Sequence, residues 1–151
     1  MAIQMVAKED LVSHIGTKFD PSDWITLDQE RINNFADCTE DHQFIHIDEQ
    51  KAAQTPFGGT IAHGFLTLSL LSHFLGQSIE ITGSRMGVNY GLNRVRFTDP
   101  VRVDSRLRAR FVLDDVVPIQ GGIQMVWKVT VECEGSDKPV LIAEWLGRRY
   151  V

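Results

Sequence analysis

The 151 residues suit one domain with a full hydrophobic core, and 43% apolar with 23% charged side chains is ordinary for a globular protein. A formal charge of −5 argues against nonspecific nucleic-acid binding as the main task. Acidic Glu9 and Asp10 interrupt the start of the chain and no continuous apolar run follows a basic segment, so neither a signal peptide nor a membrane partner is expected and the default address is cytoplasmic.

Taken in order, residues 5–15 carry a weak helical pattern that stops at Gly16, and 1–20 reads as a helical extension of a single domain spanning 1–151. Asp20-Pro21-Ser22-Asp23 is a turn and Trp24–Leu27 a short strand. Asp28 can cap a helix whose apolar stripe is Ile32, Phe35 and Ala36, and which gives out near Cys38–Asp41. Asp41–Ile47 is polar and irregular, and a short helix follows over Asp48–Ala53.

The stretch Ile61–Leu75 is apolar on every side and reads as a helix enclosed by its own protein, punctuated by Gly58-Gly59 and Gly76, with Thr60 as cap. About 15 residues at 1.5 Å each give roughly 22 Å, short of a bilayer span. Beyond Gly83 the pattern changes to strict alternation. Four strands are expected there: 88–97 with a bulge before Arg94, 103–113, 125–133 and 139–150. Short turns between consecutive strands imply an antiparallel sheet, and one greasy helix against one curved sheet is an α+β layer arrangement. A helix apolar all round needs a sheet that wraps it or a second copy, so a homo-oligomer, a homodimer or higher, is expected.

Cys38 and Cys133 have no metal-like spacing and read as free thiols packed in the core. Residues 85–110 hold seven arginines against Asp99 and Asp104, which leaves the rest of the chain at −10. The plain reading is a solvated strand face, and the sharper one is contact with an anionic ligand.

Asp41 and His46 are five residues apart, so neither a helix nor a strand would bring them together; an irregular loop can. Converging on one water, they would make an acid/base pair near neutral pH. The alternatives stay open at this point: Asp41 capping a turn, His46 as a hydrogen-bonded core histidine, His63 fixing the entry to the helix, Ser69 and Ser72 as packing residues. A metal on His42 and His46 lacks a third ligand at motif-like spacing.

Asp41-His42-Gln43-Phe44-Ile45-His46-Ile47-Asp48, then Phe57-Gly58 and Ile61-Ala62-His63-Gly64-Phe65-Leu66-Thr67, closely resemble the MaoC-like hydratase/dehydratase family, nearest its nodulation-protein-N-like branch. The likeness runs on through Asn89–Phe97 and covers nearly all of the chain from Trp24. It implies a hotdog fold, in which a curved antiparallel sheet wraps a long central helix and two copies pair. It also implies reversible hydration of a trans-2-enoyl thioester to the (R)-3-hydroxyacyl thioester, with neither metal nor organic cofactor. Asp41 and His46 fall on the catalytic pair of the D-x-N-P-x-H motif, from which this chain departs at Gln43 and Phe44. The resemblance further implies the Gly64 N–H as oxyanion donor, with Gln43, His63 and Ser72 supporting. Asn93, Arg94 and Arg96 are candidates for the carrier's phosphates, the partner being an acyl-CoA or acyl-carrier thioester. A hotdog thioesterase and a non-catalytic acyl-thioester-binding subunit are the rival readings.

Overall fold

The computed structural model describes residues 3–151. The alternating segments become β4 (Met86–Phe97), β5 (Ser105–Ile119), β6 (Gly122–Cys133) and β7 (Pro139–Tyr150). With β2 (Ile25–Leu27) they form a five-stranded antiparallel sheet in the order β2-β5-β6-β7-β4. Leu107, Ala109, Phe111 and Leu113 of β5 and Trp127, Val129 and Val131 of β6 are buried, as their spacing requires. The opposite face carries Arg106, which meets Glu134 at 2.6 Å, and Arg108 and Arg110, which share Glu132 at 2.5 and 3.1 Å. Partial burial works to raise the Glu132 carboxyl, but the hydrogen bonds from Arg108 and Arg110 hold it below the usual carboxylate range. For these three arginines the plain reading therefore holds: they belong to cross-strand ion pairs.

Between β2 and β4 lie α1 (Gln29–Thr39), α2 (Phe44–Ile47), α3 (Glu49–Ala52), α4 (Gly64–Ser69), α5 (Leu71–Ser78) and β3 (Ile79–Thr82). Asp28 caps α1 as expected, its Oδ1 accepting from the Arg31 N–H at 2.9 Å. The central helix is α4 and α5 joined through Leu70, whose φ of −82° and ψ of −5° keep the turn right-handed. It lies in the concavity of the sheet, with Leu66, Leu71 and Phe74 in the main core. This is the hotdog arrangement that the sequence resemblance implies.

Several expectations need correction. Residues 5–15 are not a helix: β1 (Gln4–Ala7) pairs in parallel with β3, and a 3₁₀ helix follows over Lys8–His14. Pairing with a strand 75 positions away in the register Gln4↔Ile79 decides that segment, and local propensity does not. The central helix starts at Gly64 rather than Ile61, has His63 rather than Thr60 at its N-cap position with no side-chain cap bond, and continues past Gly76 to Ser78. Nor is it enclosed: Phe65, Ser69, Ser72 and His73 are exposed in the single chain. Cys38 is exposed rather than buried, and Cys133 is only partly covered. No helix among the described residues is long and apolar enough to cross a membrane.

Candidate active site

Asp41 follows the left-handed C-cap of α1, where Glu40 has φ 62° and turns the chain out of the helix. Asp41–Gln43 is irregular, as expected, but His46 sits on the one-turn helix α2, which the sequence reading did not foresee. The Asp41 Oδ1 accepts from the Gln43 N–H at 3.3 Å, so the turn-capping role and a part in the site coexist. The Gln43 side chain itself makes no cap bond to α2.

His46 is buried, and its Nδ1 lies 2.7 Å from the carbonyl of Ile61. A carbonyl only accepts, so Nδ1 carries the proton and Nε2 keeps the lone pair. His63, equally buried, donates Nε2–H to the Asp41 carbonyl at 3.0 Å, which leaves its Nδ1 as the bare nitrogen. The two rings stack with centroids 3.8 Å apart at 23°, and Phe35 packs on His63 at 4.9 Å. Asp41, His46 and His63 each present one ligand-type atom within 4.8 Å of the other two. The types would suit a metal, but nearly parallel ring planes keep the imidazole lone pairs side by side rather than crossing at one ion.

Burial lowers the affinity of His46 for a proton, and the neighbouring His63 lowers it further; the Ile61 carbonyl and Asp41 act in the other direction, and the net shift is downward. His46 is thus held as a neutral base. Gln29 fixes its backbone: Nε2 donates to the His46 carbonyl at 2.7 Å, while Oε1 accepts from Thr60 at 2.5 Å. Nothing in the local pattern marks Gln29 for the site: its local bond is an ordinary i, i+4 contact to Asn33 at 2.9 Å, and the partners at the site lie 17 and 31 residues away.

A cavity of about 330 Å³ opens beside His46 and is lined by Ala62, Gly64, Thr67 and Phe97 among others. Gly64 is the first residue of α4, where an N–H has no acceptor within the helix. A Cβ there would lie 2.9 Å from the Phe97 ring, so packing against β4 already requires the glycine. Thr67 Oγ1 and His63 Nδ1 are buried without a hydrogen-bond partner among the described residues. Thr67 lines this cavity, and its unsatisfied hydroxyl there calls for a polar ligand.

The other named residues lie elsewhere. Ser72 is eight positions beyond Gly64, about 12 Å along the helix. It is within 3.4–3.5 Å of the Asn89 side chain and lines two further cavities. Asn93 is the extra residue of a bulge between Leu92 and Arg94, where the sequence pattern places one. Arg94 lines an opening with Lys128, Thr130 and Glu144 on the outer face of the sheet. Arg96 donates to the carbonyl of its neighbour Val95. His42 pairs with Asp37 at 2.9 Å in solvent.

Comparison with known proteins places residues 10–134 within a model described as "MaoC like domain". Nodulation protein N of Rhizobium leguminosarum bv. viciae is 51% identical over 142 residues, 91% of this chain and 87% of that protein. The 3-hydroxyacyl-thioester dehydratase Z of Mycobacterium tuberculosis is 49% identical over 140 residues, 92% of this chain and 93% of that one. Among solved structures, the monoamine oxidase regulatory protein of Archaeoglobus superposes with a TM-score of 0.80 at 24% identity, covering 100% of this chain and 99% of that one.

Proposed function

The chain belongs to the MaoC-like dehydratase family, and from that premise we propose that it is a hydro-lyase that reversibly hydrates trans-2-enoyl-CoA to (R)-3-hydroxyacyl-CoA with Asp41 and His46 as its acid/base pair. The observation that carries this reading is the approach of an Asp41 oxygen and an imidazole nitrogen of His46 to within 4.8 Å, beside a cavity that reaches Gly64.

A water between the Asp41 carboxylate and His46 Nε2 is oriented by the first and deprotonated by the second. Its oxygen bonds to C3 of the enoyl group as the π electrons move onto the thioester oxygen, to which the Gly64 N–H donates a hydrogen bond as charge develops. The imidazolium returns its proton to C2 on the same face, so water adds syn and His46 ends neutral. Gln43 acts through the N–H that holds the Asp41 carboxylate, and His63 through the Asp41 carbonyl. A second copy covers the exposed edge strand β4, and carrier phosphates reach Asn93, Arg94 or Arg96 from outside the cavity.

Incubation with crotonyl-CoA tests this reading. Loss of enoyl absorbance without release of thiol supports hydration. Free CoA would assign a thioesterase instead, and no change at all would assign a non-catalytic binding subunit.

A further inference from the structure

The cavity at His46 and Gly64 is followed by two others along the seam between the central helix and β4. The next, about 190 Å³, is bounded by Leu68, Leu71 and Ser72 against Gly91 and Leu92. The third, about 240 Å³, lies between Ser72–Ile79 and Gly87–Asn89, and shares Ser72, Asn89 and Trp145 with the second. Because helix and strand run in opposite directions here, the three follow one another along this trough-like seam, the second and third joined through shared walls and the first set beside them without a shared wall. From Gly64 to Gly76 it is roughly 18 Å long on a 1.5 Å rise.

Its walls are mainly apolar until the far end, where the chemistry changes. Arg149 lines the last cavity, partly buried, and makes no side-chain hydrogen bond or ion pair among the described residues. Desolvation alone disfavours its charge. Its neighbour Arg148 is already engaged, stacked 3.4 Å from the Tyr90 centroid and bonded to Gln124 at 2.9 Å. Trp127, fully buried, lines the same cavity and its Nε1–H has no acceptor among the described residues. No acidic residue lines the space. Room for the guanidinium comes from Gly87, where a Cβ would lie 3.0 Å from Arg149 Nε. A partly buried cation and a buried donor, both lacking acceptors among the described residues beside an apolar channel, match an anion at the end of an apolar chain.

We propose that the far end of this trough receives a carboxylate carried on the distal end of the substrate's acyl group, bound by Arg149 and Trp127, so that acyl thioesters ending in a carboxylate are preferred over methyl-ended ones. This rests on the hydratase reading for the identity of the ligand, but not for the existence of an anion site.

The test uses the full chain and a matched pair of long-chain trans-2-enoyl-CoAs, long enough to span the roughly 18 Å from Gly64 to Gly76, one ending in methyl and one in carboxylate. The carboxylate-ended substrate is expected to have a kcat/KM at least about tenfold higher. Arg149→Met should abolish that preference without changing turnover of crotonyl-CoA, which is too short to reach Arg149, and Arg149→Lys should keep part of it. Trp127→Phe, which retains the ring, should narrow the preference and carries the test if the Arg149→Met protein does not fold. Calorimetric titration with a medium-chain fatty carboxylate and with the corresponding alcohol reads the site without turnover. Binding of the carboxylate alone, lost in Arg149→Met, supports the anion site even if no enoyl-CoA is hydrated, in which case only the hydratase reading falls. Equal rates on the two thioesters overturn the proposal, including where the free carboxylate still binds. So does an Arg149→Met variant whose only change is weaker self-association, because the guanidinium would then serve an acid of a second copy.

Discussion

His63 lies flat on His46, with ring centroids 3.8 Å apart, and its Nε2–H holds the carbonyl of Asp41 at 3.0 Å. One buried side chain thereby touches both members of the proposed acid/base pair. Two stacked imidazoles cannot both be protonated without strong repulsion. His63 is thus a positioning residue that adds to the downward shift burial gives His46.

The pair itself gives the first prediction. Asp41→Asn keeps the shape and the Gln43 N–H contact but loses the charge that orients water, and His46→Ala removes the base. Each should lower kcat/KM for crotonyl-CoA hydration by roughly 10²–10⁴-fold, with thermal unfolding showing that the fold survives. Activity retained in both variants would reject the assignment.

The pH profile follows from the direction of the His46 shift. Burial, then repulsion from His63, place its folded value below the ordinary one of about 6.5. The acid limb of kcat/KM should therefore lie below about pH 6.5, and in His63→Asn it should move upward as the repulsion is removed. The same shift sets a stability term. The unfolded chain binds the proton more readily, so this contribution is fully present above about pH 6.5 and is lost as the pH falls below it. Melting temperatures across that range, compared with those of a His46→Gln variant, check the sign.

Much of this arrangement can be read in the sequence, and the failures share a physical cause. Asp28, Arg31 and the stripe Ile32, Ala36 signal α1 because a cap and a helical period are local. The alternation in β5 and β6 is equally local, since one buried face writes itself into every second residue. The motif from Asp41 to Gly64 marks the site by resemblance, whereas spacing alone leaves cap and catalyst undecided. What escapes is long-range. Gln29 reaches the site through partners 17 and 31 residues away, and β1 exists because β3 lies beside it. Helix α2 is a single turn, too short to show a period. The face of the central helix carrying Phe65 shows that an apolar all-round pattern predicts cover without saying that the same chain supplies it.

Gly64 supplies a separate test. A methyl group there meets the Phe97 ring at 2.9 Å, a distance real contacts do not adopt, so Gly64→Ala must push β4 or α4 aside. Overpacking of this kind costs about 1–3 kcal/mol, and it displaces the proposed oxyanion N–H as well. In the double variant with Phe97→Ala the ring is gone. Stability should then recover beyond additivity, read by denaturant unfolding in a double-mutant cycle.

The last prediction concerns β4, a twelve-residue strand at the end of the sheet with Met86, Val88, Tyr90 and Leu92 exposed. An unprotected apolar edge of this length invites pairing with another strand. Phe65 at 67% exposure extends the patch onto the helix, where it packs edge-on against Phe97. The wild-type protein should therefore sediment at twice its monomer mass. Met86→Lys combined with Leu92→Lys places charge on this edge at positions that contribute little to the single-chain core, so the double variant should sediment as a folded monomer. An unchanged dimer would move the interface elsewhere, and a wild-type monomer would remove it altogether.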